Sequence, residues 1–160
     1  MSDRSLCPVV FVVDDEPLIA LTLAMVLQSS GFDATSFTDP LEAFRAAHFE
    51  APDLLLSDVM MPFLSGIDLA AKVKAFCPDC KVLLLSGEAA LAGQLMDGSP
   101  PQERFEILQK PVRPAALVQR IEGLLDLPSG SGSPRLISQN SAAKRPVQGL
   151  PAPRRAYKKA

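Results

Sequence analysis

The sequence is poor in several residue types that define common protein classes. Of its 160 residues none is tryptophan, one is tyrosine, one is histidine and three are cysteine. Three cysteines cannot form a disulfide framework, and a single C-x-x-C pair, Cys77 and Cys80, has too few ligands for a tetrahedral zinc site. We therefore expect ordinary cytosolic thiols at these two positions, with a redox or metal-binding function as the alternative.

Long apolar runs are also missing. No stretch approaches the roughly 20 apolar residues of a membrane span. The first apolar run, Val9–Val13, is too short for a signal peptide core, and acids follow it directly. Because 48% of the residues are apolar, the chain has enough material for one folded domain. These features predict a soluble, cytoplasmic protein without a membrane span.

Charge is unevenly distributed along the chain. Residues 1–127 contain all 18 acids and 9 of the 16 bases, a net charge of −9, whereas residues 128–160 contain 7 bases and no acid. The composition changes at Pro128, where a Ser/Gly-rich stretch typical of a flexible linker begins. We predict a folded domain over residues 1–127 and a flexible basic tail over residues 128–160, with no output or DNA-binding domain.

The partner of the basic tail is left open by the sequence. Its 7 bases are accompanied by a single aromatic residue, Tyr157. A solvated tail is the simplest interpretation. The alternatives are nucleic acid bound by counterion release, a membrane headgroup layer, and an acidic protein surface such as the tail's own domain.

Five short apolar segments alternate with helical patterns along residues 9–126. The segments are Val9–Val13, Phe32–Phe37, Asp53–Ser57, Lys81–Leu85 and Phe105–Gln109, and the helical patterns cover residues 16–30, 40–49, 66–76, 88–98 and 113–126. The pattern at 88–98 is weak because it contains glycine. Five β-α repeats predict an α/β fold, a doubly wound parallel sheet with helices on both faces.

Polar side chains follow four of these segments, at the strand ends where open α/β sheets bind ligands. Asp14 and Asp15 follow the first, and Asp58, Ser86 and Lys110 follow later ones. Clustered carboxylates need a cation, and Mg²⁺ is a hard cation that takes oxygen ligands and offsets phosphoryl charge. A central aspartate is a nucleophile for phosphoryl transfer, while a lysine supplies positive charge and a serine a hydrogen bond.

Four motifs in this order resemble those of the receiver domain of two-component response regulators. They are Val12–Pro17, Ser57–Pro62 with Ser65 and Gly66, Leu85–Gly87, and Leu108–Pro111. The resemblance covers about residues 8–127. It implies a flavodoxin-like (βα)5 fold with sheet order 2-1-3-4-5, and a cis peptide bond between Lys110 and Pro111.

The resemblance also implies a role for each site residue. Asp58 would accept a phosphoryl group from a phosphohistidine on a sensor histidine kinase or a histidine phosphotransfer protein. Mg²⁺ would be bound by Asp14, Asp15, Asp58 and the backbone carbonyl of Met60. Ser86 and Lys110 would contact the phosphoryl group.

One position departs from the family pattern. Many receivers carry an aromatic residue three positions before the lysine, where this sequence has Ile107. Phe105 lies two residues earlier and shares the face of Ile107 on a strand. How a conformational switch would work without the usual aromatic residue is left open.

The leading interpretation is a single-domain response regulator that signals by protein contact and catalyses only its own phosphorylation and dephosphorylation. A phosphate shuttle or sink in a phosphorelay, and an unphosphorylated receiver-like domain, are the alternatives within the fold. A haloacid-dehalogenase-type phosphatase would need a D-x-D motif after the first strand, but the sequence has Asp14, Asp15 and Glu16 there.

The first predicted helix is unusual because no charged residue occurs from Pro17 to Phe32. Its core stripe is predicted to contain Leu18, Ile19, Leu23, Val26 and Leu27, which leaves Leu21, Ala24 and Met25 on the solvent side. That solvent face would dock on the helical bundle of a kinase or phosphotransfer partner, or on a second copy of the chain. Looser packing of the helix is the alternative.

Overall fold

A computed structural model of the chain describes residues 7–87 and 105–128. Five strands and four helices occur in this part of the chain. They are β1 (Val9–Val13), α1 (Pro17–Ser29), β2 (Asp33–Phe37), α2 (Pro40–Phe49), β3 (Leu54–Asp58), α3 (Gly66–Phe76), β4 (Lys81–Ser86), β5 (Glu106–Gln109) and α4 (Pro114–Leu124). The predicted element bounds differ from these by at most two residues. The weak helix predicted at 88–98 and the tail lie outside the described residues.

The strands form one parallel sheet in the order β2-β1-β3-β4-β5. Its register places Val13 beside Ser57, Asp58 beside Leu85, and Ser86 beside Gln109. The predicted doubly wound parallel sheet, including its strand order, is therefore confirmed. Because all strands are parallel, their carboxyl ends lie along one edge of the sheet.

Alternating side chains on the strands form two cores, one on each face of the sheet. Between the sheet and helices α1 and α4 lie Val10, Val12, Ala24, Leu27, Leu54, Leu56, Leu117 and Ile121, among others. Between the sheet and helices α2 and α3 lie Phe11, Val13, Ala43, Ala47, Leu55, Leu69, Ala70, Val73 and Leu84, among others. The central strand β3 is buried along its whole length, as its continuous apolar sequence predicted.

Helix α1 packs on a different stripe from the predicted one. Ala24 is buried although it was expected on the solvent side, and Leu18 is 78% exposed although it was expected in the core. The buried stripe is Ala20, Ala24 and Leu27. Small alanine side chains occupy the sheet-facing positions, and the larger Leu18 therefore points outward. The predicted exposure of Leu21 and Met25 is confirmed at 51% and 59%.

Cys80 is buried, and Cys77 is half-buried in the turn before β4. Burial raises the pKa of the Cys80 thiol to about 12, and the neighbouring Cys77 adds to the rise. Because the thiolate is the reactive form, Cys80 is unreactive at neutral pH. Among the described helices, none combines the length and the hydropathy that a membrane crossing requires.

Candidate functional site

An acidic cluster lies where the two central strands end. Asp14 follows β1, and Asp58 is the last residue of the neighbouring strand β3. The carboxylates of Asp14, Asp15 and Asp58 each have an oxygen within 4.8 Å of the others. Asp14 and Asp58 are buried while Asp15 is exposed, so the cluster opens to solvent on the Asp15 side. The structure thus brings together the three acids that the sequence selected.

Backbone hydrogen bonds fix the position of Asp14. Its N–H donates to the carbonyl of Phe37 at 3.1 Å, extending the pairing of β1 with β2 by one residue. One carboxylate oxygen, Oδ1, accepts from the N–H of Glu16 at 2.9 Å. The other oxygen, Oδ2, is left to face the interior of the cluster. Asp14 is therefore an oriented anion and not a mobile surface acid.

Lys110 reaches this cluster from the edge strand of the sheet, β5. It follows β5, which is separated from β3 by β4. Its N–H donates to the carbonyl of Ser86 at 2.8 Å, and its peptide bond to Pro111 is cis, as the resemblance implied. The long side chain then places Nζ 3.0 Å from Asp14 Oδ2 and 3.1 Å from Asp58 Oδ1. One ammonium group thereby bridges two carboxylates from different strands.

The pKa values of the Lys110–Asp58 pair both rise. Burial raises the pKa of Asp58, and the opposing hydrogen bond and charge of Lys110 do not cancel this effect. Burial lowers the pKa of Lys110, but hydrogen bonds to Asp14 and Asp58 outweigh it, and the net change is upward. The ion pair thus decides the direction of the pKa shift of the lysine, whereas burial decides that of the aspartate, with a smaller contribution from the repulsion by Asp14 and Asp15.

The remaining predicted site residues lie at the same edge. Ser86 is the buried last residue of β4, and it directly follows Leu85, which pairs with Asp58 in the neighbouring strand. Met60 follows Asp58 by two residues, and its side chain is 64% exposed. The roles of Ser86 and of the Met60 carbonyl stay predictions. Phe105 and Ile107 pack together against the core beside helices α2 and α3, on the shared face that their spacing predicted.

One residue that supports the site was selected only as part of a motif. Gly66 begins α3, and its N–H donates to the carbonyl of Val59 at 3.0 Å. A Cβ atom at this position would lie 2.0 Å from the carbonyl oxygen of Asp58 and 2.9 Å from Ser57 Oγ. Helix α3 can approach strand β3 this closely only because residue 66 has no side chain. The sequence motif identifies the glycine, but it does not show that a side chain there would overlap the carbonyl oxygen of Asp58.

The donor set fits a hard divalent cation. Three carboxylates and one ammonium group leave the cluster with a formal charge of −2, and all candidate ligand atoms of the cluster are oxygens. Mg²⁺ prefers such ligands and usually retains several waters, which suits a cluster with one exposed member. Asp14, Asp15 and Asp58 are therefore the residues that could hold Mg²⁺.

Comparison with known proteins supports one family. The sequence model of the response regulator receiver domain matches residues 10–122. The chain is 30% identical over 116 residues to the response regulator receiver protein CpdR of Brucella abortus, a match that covers 72% of this chain and 95% of CpdR. It is 35% identical over 116 residues to the probable transcriptional regulatory protein TcrX of Mycobacterium tuberculosis. This match covers 72% of this chain and 49% of TcrX.

The lengths of these proteins differ. The chain spans about half the length of TcrX and of several other curated relatives that it matches. A solved structure, that of a response regulator receiver domain protein from Clostridium thermocellum, matches with a TM-score of 0.65 and 27% identity, over 74% of this chain and 94% of that chain. The resemblance and the flavodoxin-like fold that it implied are both confirmed.

Proposed function

The chain belongs to the response regulator receiver domain family, and we propose that it is a response regulator phosphorylated on Asp58 in a reaction that requires Mg²⁺. Members of this family are signalling switches and broadly not enzymes. The observation that carries the proposal is the bridge from Lys110 to Asp14 and Asp58, at 3.0 and 3.1 Å. It unites a nucleophile, an oriented anion and a cation at one open edge of the sheet.

Asp58 supplies the nucleophile. A carboxylate oxygen of Asp58 attacks the phosphorus of a phosphohistidine, an O–P bond forms, the P–N bond breaks, and the electron pair returns to the imidazole. Lys110 holds Asp58 in place before the reaction. Its contact with Asp14 is kept when Asp58 receives the negatively charged phosphoryl group. Ser86 donates its hydroxyl hydrogen to a phosphoryl oxygen. The raised pKa of Asp58 opposes ionisation, and the adjacent ammonium group limits this effect.

Mg²⁺ would be held by Asp14, Asp15 and Asp58, with the backbone carbonyl of Met60 as a further ligand. When bound, it supplies positive charge that offsets the carboxylates and the phosphoryl oxygens. The protein thus contributes an oxygen-lined cluster that keeps a net negative charge unless a divalent cation is bound.

Incubation with Mg²⁺ and acetyl phosphate tests this proposal. We expect intact-mass measurements to show one added phosphoryl group that is lost at high pH, as an acyl phosphate should be. A chelator should abolish the adduct, and Asp15→Asn should raise the Mg²⁺ concentration needed for half-maximal adduct formation roughly tenfold, since it removes one of three carboxylates. An adduct that forms equally well with a chelator present would contradict the proposed role of the cation.

The donor is a histidine kinase or a histidine phosphotransfer protein, and we propose that it docks on α1. The family implies such partners generally. The face that contains Leu21 and Met25 is exposed, apolar and close in sequence to Asp14 and Asp15. A donor helix that packs there would place its phosphohistidine above Asp58.

Placing charged side chains on that face should slow transfer from a protein donor only. Leu21→Glu with Met25→Lys should lower the transfer rate at least about tenfold, because two apolar anchors become charged. Acetyl phosphate does not need the face, so its reaction with the variant should be unchanged. A matched control is Leu41→Glu on α2, which alters an exposed leucine on another helix. Equal transfer rates for wild type and the double variant would exclude docking on α1.

A further inference from the structure

The loop between β3 and α3 presents two apolar side chains to solvent at the edge of the sheet that carries Asp58. Met60 is 64% exposed, and Phe63 is fully exposed, with no described residue covering its ring. Met61 and Leu64 of the same loop pack against the core between the sheet and helices α2 and α3. The outward position of Phe63 is therefore set by a buried anchor on each side of it.

The backbone at Phe63 is strained. Its φ is 69°, in the left-handed region that bulky residues rarely adopt. The N–H of Leu64 donates to the carbonyl of Pro62 at 2.8 Å, which makes Phe63 the central residue of a γ-turn with positive φ. Such turns are rare and strained. Glycine or asparagine would adopt this φ more easily, so local backbone preference does not explain a phenylalanine here.

Packing does not explain a phenylalanine at position 63 either. A fully exposed ring buries almost no apolar surface against the described residues, so it adds little stability through burial. A backbone outlier that folding does not require points to a function for its side chain. An aromatic side chain that is held rigidly in an exposed position is suited to anchor a protein–protein contact, because little conformational entropy is lost on binding.

Phe63 lies within the area that a protein donor to Asp58 covers. A Cβ atom on Gly66 would lie 2.0 Å from the carbonyl oxygen of Asp58, and Gly66 follows Phe63 by three residues. Three residues span at most about 11 Å, which places the Cα atom of Phe63 within roughly 15 Å of that oxygen. A protein contact of standard size covers about 800 Å² on each partner, a patch with a radius of about 16 Å. A donor centred on Asp58 therefore reaches Phe63.

Phe63 and helix α1 lie on opposite sides of the acidic cluster. Helix α1 packs on one face of the sheet, whereas the loop that carries Phe63 packs on the other face, beside α2 and α3. Asp58 ends the central strand β3 between these two faces. A donor that contacts both α1 and Phe63 is held on two sides of the site, and its orientation above Asp58 is thereby set.

We propose that Phe63 is a specificity-determining contact for the protein phosphodonor, and that its ring packs against the apolar helical surface around the donor's phosphohistidine. The inference rests on the proposed function, because it takes the donor to be a histidine protein. Only a phosphodonor must bring an atom into bonding distance of Asp58, and this requirement assigns the contact to the donor and not to an output partner. Acetyl phosphate is too small to reach Phe63 from Asp58, so the residue distinguishes the two kinds of donor.

Phosphotransfer to the full chain tests the proposal. The protein probe is a purified histidine phosphotransfer domain that is loaded with phosphoramidate and transfers to the wild-type chain, and the small probe is acetyl phosphate. Phe63→Asn should lower the rate of transfer from the protein probe roughly tenfold or more, and leave the rate with acetyl phosphate unchanged. Phe63→Tyr should leave both rates at the wild-type level, because the ring is retained.

Thermal unfolding of the same samples separates a contact from a role in folding. Asparagine tolerates the left-handed conformation, so Phe63→Asn should raise the thermal midpoint by about 2–4 °C. The matched control is Phe49→Asn. Phe49 is 91% exposed and ends α2, at the opposite edge of the sheet from Asp58. This control should leave the rates with both probes unchanged.

Three results would overturn the proposal. The first is equal transfer from the protein probe to wild type and to Phe63→Asn, which would leave the proposed function intact if acetyl phosphate still forms the adduct. The second is an equal fall with both probes, because Phe63 would then act through the shape of the loop. The third is a thermal midpoint of Phe63→Asn that falls by several degrees, which would assign the residue to folding. A wild-type chain without any adduct from acetyl phosphate would instead contradict the proposed function.

Discussion

Replacing Asp58 with asparagine should abolish the labile phosphoryl adduct that forms with Mg²⁺ and acetyl phosphate. An amide oxygen is a far weaker nucleophile than a carboxylate, and loss of a nucleophile commonly lowers a rate by at least about a thousandfold. The change keeps the shape of the side chain, and Lys110 keeps Asp14 as a partner at 3.0 Å. The variant therefore tests chemistry and not folding. Intact mass, read before and after treatment at high pH, is the measurement.

A second carboxylate provides the control for this experiment. Asp79→Asn makes the same chemical change at an exposed residue in the turn before β4, at the opposite edge of the sheet from the site. It should leave the adduct at the wild-type level. A labile adduct of normal amount in Asp58→Asn would show that another residue is the phosphoacceptor.

Asp58→Asn should also stabilise the metal-free protein at neutral pH. Burial raises the pKa of Asp58 above its ordinary value of 3.8, so the folded state disfavours the charged form. The contribution of Asp58 to the free energy of unfolding is therefore fully present below the pKa of this group in the unfolded state. It is lost as the pH rises through the pKa of the group in the folded state. Asparagine does not titrate and avoids that loss. The gain in the free energy of unfolding should be greatest above the folded pKa and shrink towards pH 4. Urea unfolding with a chelator across this pH range measures it, and a less stable variant at pH 7 would contradict the sign.

Gly66→Ala should destabilise the fold by at least about 3 kcal/mol, because a new methyl group would overlap atoms that cannot move freely. The added Cβ would lie 2.0 Å from the Asp58 carbonyl oxygen and 2.9 Å from its carbonyl carbon. Those atoms belong to the buried central strand β3, and Gly66 is fixed as the first residue of α3. Relief requires the helix to move away from the strand, which would also shift Asp58. Thermal and urea unfolding, with adduct formation on the same sample, report both effects.

Gly123→Ala is the matched control for this prediction. Gly123 lies in α4, where a Cβ atom would meet nothing within 4 Å. Alanine is the better helix former, so this change should raise stability by roughly 0.5–1 kcal/mol. Opposite signs for the two substitutions would locate the effect in the contact with Asp58. Similar small changes in both would mean that α3 adjusts at little cost.

Residue types and their spacing were enough to predict the strands and helices of the described residues, the type of sheet and a set of candidate site residues. Buried parallel strands are continuous apolar runs, and a polar residue after such a run marks the strand end. Asp14, Asp58, Ser86 and Lys110 were therefore found from local patterns, and their convergence followed from the geometry of a parallel sheet. Their order along the chain identified the family, and the strand order came with that resemblance.

How these parts meet follows from packing between segments that are distant in the sequence. The exposed side of α1 depends on how the helix packs against the sheet, and it leaves Ala24 buried and Leu18 78% exposed although leucine is more apolar. The contact of Lys110 with both Asp14 and Asp58, the upward shift in the pKa of Asp58, and the closeness of Gly66 to the Asp58 carbonyl all depend on distances between strands or between a helix and a strand. A linear sequence carries residue types and spacings, but such distances arise only when distant segments pack.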